Sequence, residues 1–240
     1  MVRPKMILFD YGQTLADEKK FDGAAGTRAV LQYATKNKHN RTAEDIQAAA
    51  DAINSELGRF DPERRHLFQI EVPNHMFTAY LYQSMGVELA LTSKEIDRVF
   101  WDAASPAVPT DGIEDFLEFL YEQKIRTGVI SNITYSGEIV ADRINRLVPQ
   151  NHFEFIISTS EYMFRKPNRR IFDLALEKAG LLPEDVWYVG DNYLYDVAGA
   201  RNAGLFPVWY TGASHSIHDN NEDQTLIISH WVKLINMLMP

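Results

Sequence analysis

The chain begins with a short hydrophobic run, residues 6–9, that stops at the polar residue Asp10. An uninterrupted apolar run of this length is typical of a strand buried on both faces of a parallel sheet. The following segments repeat apolar positions at helical spacing, and they predict four helices, at residues 24–36, 42–57, 74–85 and 94–104. Thr92 and Glu95 match a capping box before the last of them. Four helices with no strand between them predict a small helical bundle.

After Pro106 the chain alternates between short segments with strand character and segments with helical character. The predicted strands are residues 126–130, 153–157, 186–189 and 206–210. The predicted helices are residues 113–121, 138–147, 169–179, 196–203 and 228–239. This alternation predicts an α/β fold with a doubly wound parallel sheet, to which the first strand belongs. We therefore predict a core of residues 1–15 and 106–240, and a helical-bundle cap inserted at residues 16–105.

The overall composition narrows the kind of partner. The formal net charge is −9 and the sequence pI is near 5.3, so we expect neither nucleic acid nor an anionic membrane as the main partner. The absence of cysteine excludes disulfides, thiolate catalysis and cysteine-bound zinc. No apolar stretch approaches the roughly 18 residues of a membrane span, and we expect a soluble cytoplasmic protein. The composition leaves the oligomeric state open.

Three polar residues lie directly at the ends of predicted strands: Asp10, Ser131 and Asp191. Lys166 lies in the loop between a predicted strand and the next helix. Open parallel sheets bind ligands at the carboxyl ends of their strands, so these side chains are predicted to meet. A carboxylate nucleophile, a hydroxyl, a cation and a second carboxylate suit phosphoryl transfer. Two carboxylates and a backbone carbonyl would also hold Mg²⁺, which prefers oxygen ligands.

Four segments resemble, in chain order, the motifs of the haloacid dehalogenase (HAD) superfamily. They are FDYGQTL at residues 9–15, ISN at 130–132, RKP at 165–167 and GDNYLYD at 190–196. The resemblance covers nearly the whole chain, including a helical cap inserted after the first motif. It implies a HAD-like, Rossmann-type core and a Mg²⁺-dependent hydrolase that acts on a small phosphorylated metabolite through an aspartyl-phosphate.

The resemblance also implies a role for each matching residue. Asp10 would be the nucleophile, with Ser131 and Lys166 as the other catalytic residues. The metal ligands would be Asp10, Asp191, the backbone carbonyl of Gly12 and, as a ligand or an orienting group, Asp196. The substrate-binding residues would be Thr14, which would also support its loop, Ser131, Asn132 and Lys166.

Position 12 departs from this pattern. Phosphatases resembling the family usually carry a second aspartate two residues after the nucleophile, where it protonates the leaving oxygen and later activates water. This chain has Gly12 there. The acid could come instead from Asp17, Glu18 or a cap residue, or the substrates could be acyl and aryl phosphates that need little protonation. A general acid typically contributes about 10²–10⁴-fold in rate, so its source decides which phosphates are turned over.

Two other functions stay open. Phosphonate-cleaving relatives have a small residue at this position and use a cap lysine, for which the candidates are Lys19, Lys20, Lys36 and Lys38. Alternatively, the protein could bind metal and phosphate with little turnover. A metal-free dehalogenase is disfavoured because Asp191 is retained.

The predicted cap contains two groups of residues that could select a substrate. The first is a basic cluster that could meet an anionic substrate or face solvent, formed by Arg59, Arg64, Arg65 and His66. The second could stack on a substrate ring and consists of Phe77, Tyr80 and Tyr82, although their helical spacing favours packing within the bundle. The sequence does not name the substrate.

Overall fold

The computed structural model describes residues 3–58, 70–213 and 225–239. Within them the strands are β1 Met6–Phe9, β2 Ala16–Glu18, β3 Ala34–Asn37, β4 Val87–Leu89, β5 Ala107–Pro109, β6 Arg126–Ser131, β7 Phe153–Ser158, β8 Val186–Gly190, β9 Phe206–Tyr210 and β10 Leu226–Ile228. The helices are α1 Gly23–Leu31, α2 Ala43–Glu56, α3 Asn74–Ser84, α4 Ser93–Ala104, α5 Ile113–Glu122, α6 Gly137–Leu147, α7 Arg169–Ala179, α8 Gly199–Ala203 and α9 Val232–Leu238. A π-helical turn, Tyr193–Ala198, precedes α8.

Six strands form one parallel sheet in the order β10-β9-β8-β1-β6-β7. β1 lies inside it, with Phe9 in register with Val129 of β6 and Val189 of β8. Every residue of β1 is fully buried, because helices cover both faces of the sheet. Phe9 packs in the hydrophobic cluster on one face, and Leu8 packs with Phe172 on the other. The predicted doubly wound α/β sheet is confirmed, and its topology places the ends of β1, β6 and β8 side by side.

The helices between β2 and β5 have an apolar cluster of their own. It includes Val30, Ile46 and Leu81, which come from α1, α2 and α3. The predicted capping box of α4 is present, since the Thr92 N–H donates to Glu95 Oε2 at 2.7 Å and the Thr92 hydroxyl accepts from the Glu95 N–H. This segment therefore folds around a small core separate from the two faces of the sheet.

Two short antiparallel pairs correct the prediction that this segment contains only helices. β2 pairs with β5, and β3 pairs with β4. Residues 34–36, predicted as the end of the first helix, lie in β3, where Lys36 is opposite Glu88 and forms an ion pair with it at 2.8 Å. The cross-strand pairing overrides a weak local helical preference. β2 and β5 lie at the two predicted domain boundaries, and the division into domains itself stays a prediction.

The C-terminal elements also differ from the prediction. The helix predicted at residues 228–239 is wrong at its start, because Ile228 ends β10 and aligns with Tyr210 at the edge of the sheet. The helix predicted at 196–203 begins earlier, as the π-helical turn, where the Asn192 side chain accepts a hydrogen bond from the Tyr195 N–H. Among the described residues, no helix is both long and apolar enough to cross a membrane.

Candidate active site

The loop after β1 carries Asp10 to the carboxyl edge of the parallel sheet. The Asp10 N–H donates to the Val189 carbonyl at 2.9 Å, which fixes the residue beside β8. The chain then turns back, because the N–H groups of Leu15 and Ala16 donate to the Tyr11 carbonyl at 2.9 and 3.1 Å. Asp10 is thereby held in the wall of a cleft of about 280 Å³.

Three carboxylates converge on this cleft. Asp10, Asp191 and Asp196 each offer an oxygen, and these atoms lie within 4.8 Å of one another. Burial, with the charges of Asp196 and Asp10, raises the pKa of Asp191 to about 8, although Lys166 opposes the shift. Burial also raises the pKa of Asp10 to about 6, again against the effect of Lys166. The cluster carries more negative charge than one lysine neutralises, so these carboxylates could hold a cation.

Lys166 is the cationic centre of the cleft. Its Nζ donates to Asp10 Oδ1 at 2.8 Å, to Asp196 Oδ1 at 2.6 Å and to the Tyr188 hydroxyl at 2.7 Å. Burial disfavours the charged form, yet Asp10 and Asp196 together outweigh it and raise the pKa of Lys166. Lys166 is therefore an ammonium group that links two of the three carboxylates.

Asn132 holds the backbone of Lys166. Its Nδ2 donates to the Lys166 carbonyl at 2.9 Å, and its Oδ1 accepts from the Lys166 N–H at 2.8 Å. These bonds position the lysine, and the substrate contact of Asn132 stays a prediction. Ser131 ends β6 and lines the cleft. Thr14 is fully buried, and its carbonyl accepts from the Thr110 hydroxyl at 2.7 Å, which favours support of the loop over contact with substrate.

Asp196 uses both carboxylate oxygens within the protein. Oδ1 accepts from Lys166, and Oδ2 accepts from the Asn192 N–H at 2.9 Å. Gly190 makes this placement feasible, because a β-carbon on it would lie 2.3 Å from Asp196 Cγ. Of the two roles left open for Asp196, the geometry favours orienting the site over direct metal ligation. Asp191 has the more accessible carboxylate of the two.

Glu18 also lines the cleft, next to Gly12. Its Oε1 accepts from Trp101 Nε1 at 3.0 Å and lies 3.4 Å from an Arg143 nitrogen. Its Oε2 lies 3.3 Å from the position that a β-carbon on Gly12 would occupy. Burial raises the pKa of Glu18, while Arg143 lowers it. Asp17, the neighbouring acid, is exposed.

The residues that hold Glu18 and Lys166 in place were not predicted from the sequence. Tyr188 lies inside the buried strand β8 and donates its hydroxyl to the Ile130 carbonyl at 3.0 Å. Arg143 is buried on α6 and donates to the Tyr11 hydroxyl and to Asp102, both at 2.7 Å. Both Tyr188 and Arg143 could have been singled out from the sequence, because a hydroxyl or a guanidinium in a buried position needs polar partners. Arg143 falls on the same face of α6 as the apolar residues, where a solvated arginine would not be expected.

Within the described part of the chain, the residues of the predicted cap that could contact a substrate do not line the cleft. The candidate lysines are all exposed: Lys19, Lys20, Lys36 and Lys38. Phe77 and Tyr82 pack with the apolar cluster that includes Val30, Ile46 and Leu81, as their helical spacing predicts, whereas Tyr80 is 64% exposed. The basic cluster lies outside the described residues: Arg59, Arg64, Arg65 and His66.

The segment before α3 is attached to the core beside the site. The Glu71 carboxylate is buried and accepts from Arg165 at 2.6 Å and from the Thr159 hydroxyl at 3.0 Å. Arg165 also lines the cleft and directly precedes Lys166. The inserted segment and the loop of Lys166 are therefore joined by an ion pair at the cleft wall.

Known proteins resemble this chain over most of its length. Residues 7–209 match the model of the haloacid dehalogenase-like hydrolases. The pyrimidine 5'-nucleotidase YjjG of Escherichia coli (strain K12) is 28% identical over 205 residues, which cover 85% of this chain and 84% of that protein.

Two solved structures share the fold. A 2-haloacid dehalogenase from Pseudomonas syringae pv. Tomato DC3000 superposes with a TM-score of 0.64 at 18% identity, covering 99% of this chain and 98% of the other. A HAD phosphatase from Thermococcus onnurineus also has a TM-score of 0.64 at 18% identity, covering 97% of each chain. Since a dehalogenase and a phosphatase fit equally well, the likeness shows the fold, and the chemistry must be argued from the site.

Proposed function

Because the chain belongs to the haloacid dehalogenase-like hydrolases, we propose that it is a Mg²⁺-dependent phosphatase that forms an aspartyl-phosphate on Asp10. The observation that carries the proposal is the contact between Asp10 and Lys166, 2.8 Å long, beside Asp191 in one cleft. A carboxylate nucleophile next to a fixed cation and a second carboxylate suits attack on phosphorus. The nucleotidase relative supports hydrolysis of a phosphate ester.

The acidic cluster fits a divalent cation. Three carboxylates face one lysine ammonium, so a dication would offset the burial and the neighbouring carboxylate charges that together raise the pKa of Asp191. Asp10, Asp191 and the backbone carbonyl of Gly12 would hold Mg²⁺, with Asp196 orienting the site. When bound, the cation would shield the phosphate from the carboxylates and stabilise charge on the transferred group.

The protein residues would divide the reaction as follows. Asp10 forms a bond from a carboxylate oxygen to phosphorus while the bond to the leaving oxygen breaks. Water then attacks the phosphorus of the aspartyl-phosphate, which releases inorganic phosphate and restores Asp10. Lys166 neutralises charge on both partners, and the Ser131 hydroxyl donates to a phosphoryl oxygen.

The substrate we propose is a small phosphate monoester or acyl phosphate, not a nucleic acid. The cleft of about 280 Å³ is small, and the net charge of −9 disfavours a polyanion. Since the bacterial relative is a pyrimidine 5'-nucleotidase, pyrimidine nucleotides belong among the first compounds to test.

The second candidate function is metal and phosphate binding with little turnover, which the glycine at position 12 favours. A phosphonate-type reaction has less support, because Lys166 is the sole lysine that lines the cleft among the described residues, and it is bound to Asp10 and Asp196.

Phosphate release separates the two candidates. With Mg²⁺ we would assay acetyl phosphate, p-nitrophenyl phosphate and a panel of sugar and nucleotide monophosphates. A phosphatase should turn over at least one of them, and Asp10→Asn should lower that rate at least about 10³-fold, because it removes the nucleophile. Asp17→Asn changes an exposed carboxylate outside the machinery and should keep the parent rate. If phosphate release stays at background for every compound and is the same in Asp10→Asn, the phosphatase proposal is wrong and binding of metal and phosphate is the remaining candidate function.

A further inference from the structure

The missing side chain at position 12 leaves a space that another acid reaches. A β-carbon on Gly12 would lie 3.3 Å from Glu18 Oε2, tighter than an ordinary van der Waals contact. Glu18 therefore brings its carboxyl to the point where a side chain of residue 12 would begin. Both residues line the cleft that contains Asp10, so the carboxyl lies on the same side of the sheet as the nucleophile.

The turn after β1 explains how Glu18 returns to this position. Gln13 has a φ of 52°, and its Nε2 donates to the Glu18 carbonyl at 2.9 Å. β2 then runs antiparallel to β5, with Glu18 opposite Ala107. Because successive strand residues point to opposite faces, Asp17 is directed to solvent when Glu18 is directed to the cleft.

The Glu18 carboxyl is held through one oxygen. Oε1 accepts from Trp101 Nε1 at 3.0 Å and, at 3.4 Å each, from Arg143 and the Tyr11 hydroxyl. Arg143 is itself fixed, since its guanidinium lies 4.3 Å from the centre of the Trp101 ring and donates to Tyr11. Within the described residues, every donor to this carboxyl binds Oε1. Oε2 is thus the oxygen that faces Gly12 and the cleft, in an orientation set before substrate binds.

We propose that Glu18 is the general acid and base of the reaction, an inference that rests on the proposed function. As Asp10 bonds to phosphorus and the bond to the leaving oxygen breaks, protonated Glu18 gives its proton to that oxygen, which departs as an alcohol. The Glu18 carboxylate then accepts a proton from the water that attacks the aspartyl-phosphate. This second step yields inorganic phosphate, the Asp10 carboxylate and protonated Glu18, so no other reactant is needed.

The test compares kcat/KM of Glu18→Gln and the parent for an alkyl phosphate, such as a sugar phosphate, and for p-nitrophenyl phosphate. This constant covers the steps through departure of the leaving group. We expect the variant to lose about 10²–10⁴-fold on the alkyl ester and less than about tenfold on the aryl ester, whose leaving group needs little protonation. Glutamine can still accept from Trp101, and the aryl ester reports that the variant is folded.

Further variants complete the test. Asp17→Asn should match the parent on both esters. The kcat/KM of Gly12→Asp should not exceed that of the parent, because the new carboxylate would crowd Glu18. In the Glu18→Ala background, however, Gly12→Asp should raise kcat/KM for the alkyl ester at least tenfold. If the parent is active, three results would each overturn the role of Glu18. They are an equal loss of kcat/KM on both esters in Glu18→Gln, no loss in that variant, and no gain when Gly12→Asp is added to Glu18→Ala. A parent inactive on both esters would instead overturn the proposed function, and this inference with it.

Discussion

At the residue scale, the surroundings of each ionisable side chain decide what it can do. In the cleft, burial raises the pKa of Asp10 and Asp191, and Lys166 limits that rise. Asp97 of α4 follows the same physics away from the site. It is 4% exposed, its Oδ1 accepts from Asn74 Nδ2 at 2.6 Å, and burial raises its pKa from an ordinary value of 3.8 to about 6.

The raised pKa of Asp97 predicts a pH-dependent stability. The folded state binds this proton more tightly than the unfolded chain does, so its stabilising contribution is present below pH 4 and is lost as pH rises through about 6. Asp97→Asn removes the buried charge and keeps the acceptor for Asn74. We expect the free energy of unfolding of the variant, relative to that of the parent, to be about 1–3 kcal/mol higher at pH 7 than at pH 4. Urea unfolding at several pH values measures this, and a constant difference would contradict it.

Among the helices and strands, those with a clear local sequence pattern were predicted, and those that form only by pairing with a distant segment were not. β1 and β8 are apolar runs, which favour a strand buried on both faces of a sheet, and their positions were predicted correctly. β2 and β4 are three residues long and only partly buried, so their sequences carry no strand pattern. They form because distant backbone segments pair, a tertiary effect that local reading cannot detect.

The capping box of α4 should contribute measurably to the free energy of unfolding. Thr92→Ala removes the side-chain acceptor of the Glu95 N–H and should lower the free energy of unfolding by about 1 kcal/mol. Ser136→Ala is the matched control, because Ser136 precedes α6 but makes no capping hydrogen bond, and its buried hydroxyl has no partner within the described residues. Urea denaturation should find that control nearly neutral. Equal costs for the two variants would mean that the capping bond contributes nothing.

At the scale of the whole molecule, the parallel sheet gathers residues that are far apart in sequence. Asp10, Ser131 and Asp191 were predictable as neighbours because each follows a strand of one sheet, and that topology could be read from the alternating pattern. The position of Glu18 was not predictable, because it depends on the unforeseen pairing of β2 with β5 and on Arg143 from a remote helix. From the sequence, Glu18 was therefore one candidate for the acid, but nothing distinguished it from Asp17.

The excess of carboxylates predicts that Mg²⁺ stabilises the fold. A cation that binds only the folded state adds about 2.7 kcal/mol at one hundred times its Kd, so the Tm of the parent should rise on addition of Mg²⁺ and fall with a chelator. Asp191→Asn removes a carboxyl group whose ionised form is disfavoured by burial and by its carboxylate neighbours, and we expect a higher Tm than the parent in chelator but a smaller gain from Mg²⁺. Asp173→Asn, which alters an exposed carboxylate on α7, should respond like the parent. An equal gain in Asp191→Asn would exclude Asp191 as a ligand.

In the proposed reaction, Asp10 carries the phosphoryl group between two chemical steps. Rapid quenching of the protein during turnover of p-nitrophenyl phosphate with Mg²⁺, followed by borohydride reduction and peptide mass spectrometry, tests it directly. An aspartyl-phosphate is reduced to homoserine, so we expect homoserine at position 10 in the quenched parent and none in Asp10→Asn or without substrate. The absence of homoserine at position 10, both in an active parent and in Glu18→Gln, where hydrolysis of the intermediate should be slower, would contradict the role of Asp10 as the nucleophile.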